Sequence, residues 1–270
     1  MPQRVAAAQF VAEPATVDAN MALAAVAEAA DRGARLVVLP ECCLSGYDLE
    51  WFRAGAPGGG EVLASRGIQA LADLSRRRGI AIVVNDLERA GGALYSTSVI
   101  IDRGSEQSRH RKTHLTDAEE AAGLAAGNAV ATPVEIHGLG LAVAPMICFE
   151  HGFPEVALRL ALDGASLLAM SSAIRRGVEY LRDLRVRARA QDNGCYAVAA
   201  NAVGRGFCGT SFIADPRGEV ITAAPADDAE VIVADIDPRL VEAERRAEPV
   251  LRRRRPDLYA TRAPTQQSMQ

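Results

Sequence analysis

Cys148 closes the apolar run 141–147 (LAVAPMI), and Gly152 and then Phe153-Pro154-Glu155 follow it. A run of that kind reads as a strand buried on both faces, and a proline near the start of an apolar-periodic segment suits the first turn of a helix. The cysteine therefore stands on the turn leaving the carboxyl end of a core strand, just before a helix amino terminus. Ligands bind at that end of open α/β sheets, and helix amino termini favour anions such as a thiolate. A free cysteine on its own is more often a small core hydrophobe, so its partners decide the matter.

Two partners occupy comparable places. Glu41 directly follows the apolar strand RLVVLP, and Lys112 lies in a loop within RHRKTHL. Singly, the acid marks the start of a loop and the lysine is an exposed cation. Together, an acid, an amine and a thiol on three strand-end loops form a nucleophilic set. A free thiol is only a few per cent thiolate at neutral pH and needs a base. Glu41 can take that proton and return it to a leaving amine. Lys112 can stabilise the oxyanion together with the backbone N–H of Phe149.

The elements that must carry these residues come in two similar runs. Strands are expected at 4–10, 35–39, 80–84 and 94–101, with helices after Asp18 as N-cap to Gly33, and over 61–78 to Gly79, the latter behind a Gly-rich loop at 56–60. From Gly140 the order returns: a strand to 147, a helix over 154–163, a strand at 166–170, a helix over 178–193 stopped by Gly194, and strands at 195–200, 208–213 and 230–236. Two β-α-β-α-β-β halves without repeated sequence predict an α/β fold, a four-layer α-β-β-α sandwich of two mixed sheets with helices outside. One hydrolase domain is expected over 1–248, with a polar tail at 249–270 that contains Arg252 to Arg255.

Composition narrows the partners. The 270 residues are 49% hydrophobic and 24% charged, an ordinary globular balance, and a net charge of −4 gives no electrostatic footprint for nucleic acid. No apolar run approaches a membrane span and the amino terminus lacks a signal core, which points to the cytoplasm, with the five cysteines reduced. His110 and His114 are four apart, but no third ligand stands at a telling spacing, so neither metal nor cofactor is expected. Gly204, Gly206 and Gly209 match a dinucleotide-binding pattern, yet a strand rather than a helix should follow them. The pair Cys42-Cys43 reads as core lining beside Glu41. No nucleophile-elbow serine motif is present.

LPECCLSGYD around Glu41, HRKTHL around Lys112 and MICFEHGFPE around Cys148 resemble the three signature segments of the nitrilase, or carbon–nitrogen hydrolase, superfamily, in its amidase-like branch. RARAQDNGCYAVAANAVG and GTSFIADPRGEV extend the likeness over nearly the whole chain. The resemblance implies a Glu–Lys–Cys triad at Glu41, Lys112 and Cys148, the sandwich described above and a homodimer. It also implies a second glutamate that helps place the substrate, matched here by Glu120 ahead of Gly127, with Phe149 and Ala173 completing the substrate-binding set. Three positions depart from the family pattern: Glu150 where amidase-like members carry Asp, Ser96 where Asn is common, and Ile174 where many carry an aromatic. The implied reaction is hydrolysis of a small primary amide through a thioester on Cys148. N-carbamoyl amines and nitriles are the competing substrates. Arginines typical of carbamoyl-amino-acid hydrolysis are replaced by His151 and Gly152, and the tryptophan of true nitrilases by Phe149. A catalytically dead binding scaffold would have no need of all three triad residues.

Overall fold

A computed structural model describes residues 3–57 and 65–259. The first sheet has the order β14-β1-β2-β3-β4-β5, built from β1 (Gln3–Gln9), β2 (Leu36–Val38), β3 (Ala81–Ala90), β4 (Ala93–Asp102), β5 (Ser105–Arg111) and the late strand β14 (Glu230–Ile236). Its inner trio β1, β2 and β3 runs parallel and the rest antiparallel. The second sheet has the order β13-β12-β9-β8-β7-β6, with β6 (Val134–Glu135), β7 (Ala142–Ile147), β8 (Leu167–Ser172), β9 (Tyr196–Asn201), β12 (Phe212–Ala214) and β13 (Val220–Ala223). Here β7, β8 and β9 are the parallel trio.

Side-chain alternation along the strands builds the layers. Val5, Ala7, Leu36, Val38 and Val83 point to one face and meet Val143, Leu167, Ala169 and Val198 of the other sheet in a shared core. The intervening residues Ala6, Ala8, Val37, Ile82 and Val84 point outward, beneath α1 (Asn20–Asp31) and α3 (Arg66–Arg78), with the short α2 (Leu49–Arg53) between those two helices in the chain. On the far side Ala144, Met146, Leu168 and Met170 do the same beneath α5 (Pro154–Leu162) and α6 (Glu179–Asn193). The expected four-layer sandwich of two mixed sheets is the architecture observed. Helix ends follow local chemistry: Ser65 caps α3, Pro154 opens α5, and Gly79 and Gly194 end α3 and α6 in the left-handed conformation.

Some expectations move. The N-cap of α1 is Ala19, while Asp18 accepts from the Asn20 N–H at 2.9 Å. The single strand expected at 208–213 is broken by positive φ at Gly209 and Thr210. Its first part, β11 (Phe207–Cys208), pairs instead with β10 (Val203–Gly204). The final strand β14 leaves the second half and pairs along all seven residues of β1, so it closes the first sheet. Pro145 lies inside β7, where β6 pairs only with Ala142 and Val143 and so demands no N–H from the proline. Part of the Gly-rich loop and the start of the helix expected at 61–78 fall at 58–64, outside the described residues. After β14, α7 (Pro238–Ala247) docks Arg245 onto the carbonyls of Ala165 and Asn193, and the exposed α8 (Pro256–Tyr259) follows. Among the described residues no helix is long and apolar enough to cross a membrane.

Candidate active site

The two parallel trios end side by side, and the chemistry-bearing residues leave from those ends. Glu41 follows β2 on a turn held by β3: Asn85 Oδ1 accepts from the Cys42 N–H at 3.0 Å, and Asp86 accepts from Leu44 and Ser45. The Glu41 N–H reaches across to the Ser172 carbonyl of the other sheet at 3.2 Å. Cys42 and Cys43 are buried in this turn, as expected of core lining. Burial drives both thiols well above their ordinary pKa and keeps them inert.

Lys112 is the first residue beyond β5, and its N–H continues the ladder to Ser96 O at 2.8 Å. Its Nζ donates to Glu41 Oε1 at 2.9 Å and to Glu119 Oε1 at 2.6 Å, and all three side chains are buried. The second carboxylate on the lysine is thus Glu119, not Glu120, which is exposed. Thr116 explains the difference. It caps the short helix α4 (Asp117–Ala121) in a capping box, and Glu119 turns back so that Oε2 accepts from Thr116 N–H and Oγ1. Its Oε1 is left for Lys112 and for the Tyr47 hydroxyl at 2.9 Å. Glu120, one residue on, is rotated about 100° around the helix axis. The pattern Thr-x-x-Glu was in the sequence and was the signal for Glu119; Tyr47, within LSGYD, had none.

Cys148 begins a 3-10 turn (Cys148–Gly152) directly after β7, with φ at 41°, a region L-residues rarely adopt. Glu150 secures that turn. Its Oε2 accepts from Ile147 N–H at 2.8 Å, its Oε1 accepts from both Thr113 N–H and Oγ1 at 2.7 Å, and His110 Nε2 lies 3.0 Å from each oxygen. Burial opposes its charge, but His110 and Thr113 outweigh that and hold the carboxyl below its usual range. Glu150 therefore ties the exit of β5, with Lys112, to the exit of β7, with Cys148. His114 stacks on Phe153 instead, so the two histidines serve different neighbours. Among the described residues no group of three metal-ligating side chains occurs.

Electrostatics separate the roles. Desolvation raises the Glu41 pKa against the opposing pull of Lys112, and Glu41 Oε2 is buried with no hydrogen-bond partner. Burial works against the Lys112 charge, yet Glu41, Cys148 and Glu119 together raise its pKa, so it stays protonated. Glu119 is held below the carboxylate range because Lys112 outweighs its burial. Cys148 is raised, first by burial and then by the Glu41 charge, with Lys112 and the backbone N–H of Ala173 opposing. A neutral thiol thus faces a carboxylate with a free oxygen. Cys148 is only half-buried, because it opens into a cavity of about 260 Å³ whose walls include Phe149, Ile174, Leu181 and Arg185. Of the expected substrate-binding residues, Phe149 lines this cavity and Ala173 reaches Cys148 through its backbone.

The carbon–nitrogen hydrolase family model matches residues 4–246. A protein described as a hydrolase in the pqqF 5′ region of Pseudomonas protegens is 36% identical over 264 residues, covering 95% of this chain and 90% of that protein. A deaminated glutathione amidase of Escherichia coli O157:H7 is 32% identical over 260 residues, covering 93% and 97%. The crystal structure of an amidase from Nesterenkonia sp. superimposes with a TM-score of 0.83 at 24% identity, covering 95% of each chain, a likeness of fold.

Proposed function

The chain belongs to the carbon–nitrogen hydrolase family, and from that membership and the geometry around Cys148 we propose that it converts a small primary amide to a carboxylic acid and ammonia through a thioester on Cys148. The observation that carries this reading is the arrangement of Lys112 between Glu41 and Glu119, with Glu41 Oε2 left without a partner and Glu41 close enough to the half-buried Cys148 for each to shift the other's pKa. As Sγ attacks the amide carbon, Glu41 takes the thiol proton. Lys112 and the Phe149 N–H hold the oxyanion. Collapse of the tetrahedral intermediate breaks the C–N bond, and the nitrogen leaves as ammonia with the proton from Glu41. Glu41 then deprotonates water, the hydroxide attacks the acyl carbon and breaks its bond to Sγ, and protonated Glu41 returns the proton to Cys148. Glu119 positions Lys112 throughout and needs to exchange no proton.

Ammonia release from a panel of amides, N-carbamoyl amines and nitriles tests the substrate class, and mass spectrometry of protein quenched with substrate tests the nucleophile. The expected result is turnover of amides and an acyl adduct on the Cys148 peptide. An adduct on Cys42 or Cys43 would remove the assignment, and turnover confined to nitriles would remove the amide reading.

The remaining features of the proposal are a cytoplasmic enzyme whose hydrolase domain is 1–248, with 249–270 as an appended tail, working as a homodimer or larger. Tyr180 and Leu184 of α6 are 67% and 65% exposed, an apolar surface that a second copy could cover. Sedimentation at micromolar concentration is expected to give at least twice the monomer mass. A monomer would refute the assembly.

A further inference from the structure

Asn85 is buried inside β3, a strand position where amide side chains are uncommon, and each polar atom of its side chain has a partner. Val83 and Ile100 face the core shared by the two sheets. Asn85, two residues after the first, and Ser98, two residues before the second, therefore face the same way. The register sets Asn85 opposite Ser98, with Ser96 as a diagonal neighbour. Asn85 Nδ2 donates to the hydroxyls of Ser96 and Ser98 at 3.2 Å, and Oδ1 accepts from the Cys42 N–H at 3.0 Å. Turning the amide over would set its NH₂ against the Cys42 N–H, so only one orientation is satisfied.

A satisfied amide in a core ordinarily serves the fold alone, but this one joins the supports of two catalytic residues. β2 ends at Val38, and after Leu39, whose N–H reaches Val83 O at 2.9 Å, the chain leaves the ladder. Asn85 spans the gap. Its side chain takes the Cys42 N–H, and its carbonyl takes the Cys43 N–H at 3.2 Å. Cys42 directly follows Glu41 and has φ at 51°, a strained conformation for a residue other than glycine that persists only where its surroundings hold it. On the other side the amide holds Ser96, whose carbonyl accepts the Lys112 N–H at 2.8 Å. Glu41 and Lys112 lie 71 residues apart in the chain, and Asn85 is bonded to the support of each.

We propose that Asn85 is a positioning residue of the hydrolysis, fixing the Glu41 turn against the Lys112 strand so that the base meets both its lysine and the thiol. It takes no part in the wall of the cavity at Cys148 and acts through Glu41 and Lys112. The proposal rests on the reading of Glu41 as the base and adds what holds that base in place. A displacement of about 1 Å in such a group costs about 100-fold in rate.

The test uses Asn85→Leu, which fills a similar volume without an acceptor, and Asn85→Asp, which keeps the acceptor for Cys42 while the two serine hydroxyls turn to donate. With an amide substrate, Asn85→Leu should lose about 10- to 100-fold in kcat with little change in KM, and Asn85→Asp should recover most of that loss above the acid limb. The titratable groups bearing on Glu41 are Lys112, Glu119 and Cys148; burial raises its pKa and Lys112 pulls it down. A base loosened from Lys112 is a weaker acid, so the acid limb of kcat/KM in Asn85→Leu should move to higher pH. An asparagine serving only the fold would change the melting temperature and leave that limb in place. Alkylation of Cys148 by iodoacetamide needs no turnover and should be slowed in Asn85→Leu, with Glu41→Gln alongside as the full loss of the base. Should Asn85→Leu not fold, Ser96→Ala combined with Ser98→Ala frees the amide yet leaves the Glu41 turn its acceptor, and a smaller loss of kcat with the limb moved the same way is expected. Unchanged kcat and an unmoved limb in the folded variant, or Asn85→Asp no better than Asn85→Leu, would overturn the role of Asn85 and leave the amidase reading intact. Normal alkylation in Glu41→Gln would overturn Glu41 as the base and the proposal with it. A wild type inert toward every amide would overturn the amidase reading, and the alkylation rates would still decide on Asn85.

Discussion

Glu41→Gln is expected to give a folded protein in which no acyl-enzyme forms with an amide substrate. Lys112 donates to Oε1 of Glu41, so the glutamine oxygen will take that position and its NH₂ will take the place of Oε2. That place is the free, buried oxygen, and an amide nitrogen there cannot accept the thiol proton. The variant also loses the Glu41 charge that helps raise the Cys148 pKa, but burial still holds the thiol toward its protonated form. Desolvation raises the Glu41 pKa toward the operating pH, as suits a group that must take and return a proton in each half of the reaction. Glu119→Gln is the contrasting case. It keeps an acceptor for Lys112 and for Tyr47 and should leave a slow but measurable enzyme whose Cys148 still reacts with small alkylating agents. Quenched-flow trapping by mass spectrometry distinguishes the two. Near-normal acylation in Glu41→Gln together with none in Glu119→Gln would mean that the base has been assigned to the wrong carboxylate.

The contrast also shows where the sequence was readable. Glu41, Lys112 and Cys148 could be placed because each directly follows a strand, or a motif, that stands out locally. Leu36–Val38 and Ala142–Ile147 are apolar throughout, as strands covered on both faces must be. Glu119 against Glu120 turned on which of two adjacent acids a capping threonine selects, and spacing to a distant glycine gave the wrong one. β5 reads SEQSRHR and is largely polar, because it is an edge strand with little to bury, so nothing apolar announced it. The return of β14 to the first sheet had no local signal at all: its alternation predicts a strand, while its partner β1 lies more than two hundred residues earlier.

Lys112→Met should lower kcat by at least about 10²–10³, the usual cost of losing one oxyanion donor, and should also change how stability depends on pH. Methionine fills much of the same volume without the charge, which leaves two buried carboxylates facing each other. In the wild type Lys112 is what holds Glu119 below its ordinary pKa, and a lowered acid contributes stability above its unfolded value that is lost as pH falls. Without the lysine, burial and mutual repulsion raise both Glu41 and Glu119. Raised acids contribute stability that is complete below their unfolded pKa, about 4.3, and is lost as pH rises through the folded value. Lys112 itself does not titrate in this window, since its raised pKa lies far above it. The gap in melting temperature between wild type and Lys112→Met should therefore widen from pH 5 to pH 8, with the variant best behaved in acid. Thermal denaturation across that range and steady-state turnover on the same preparations check the two effects together. A gap that stays constant with pH, or a loss of turnover of only a few fold, would mean that the lysine is neither the charge that holds Glu119 low and limits the rise of Glu41 nor a donor to the transition state.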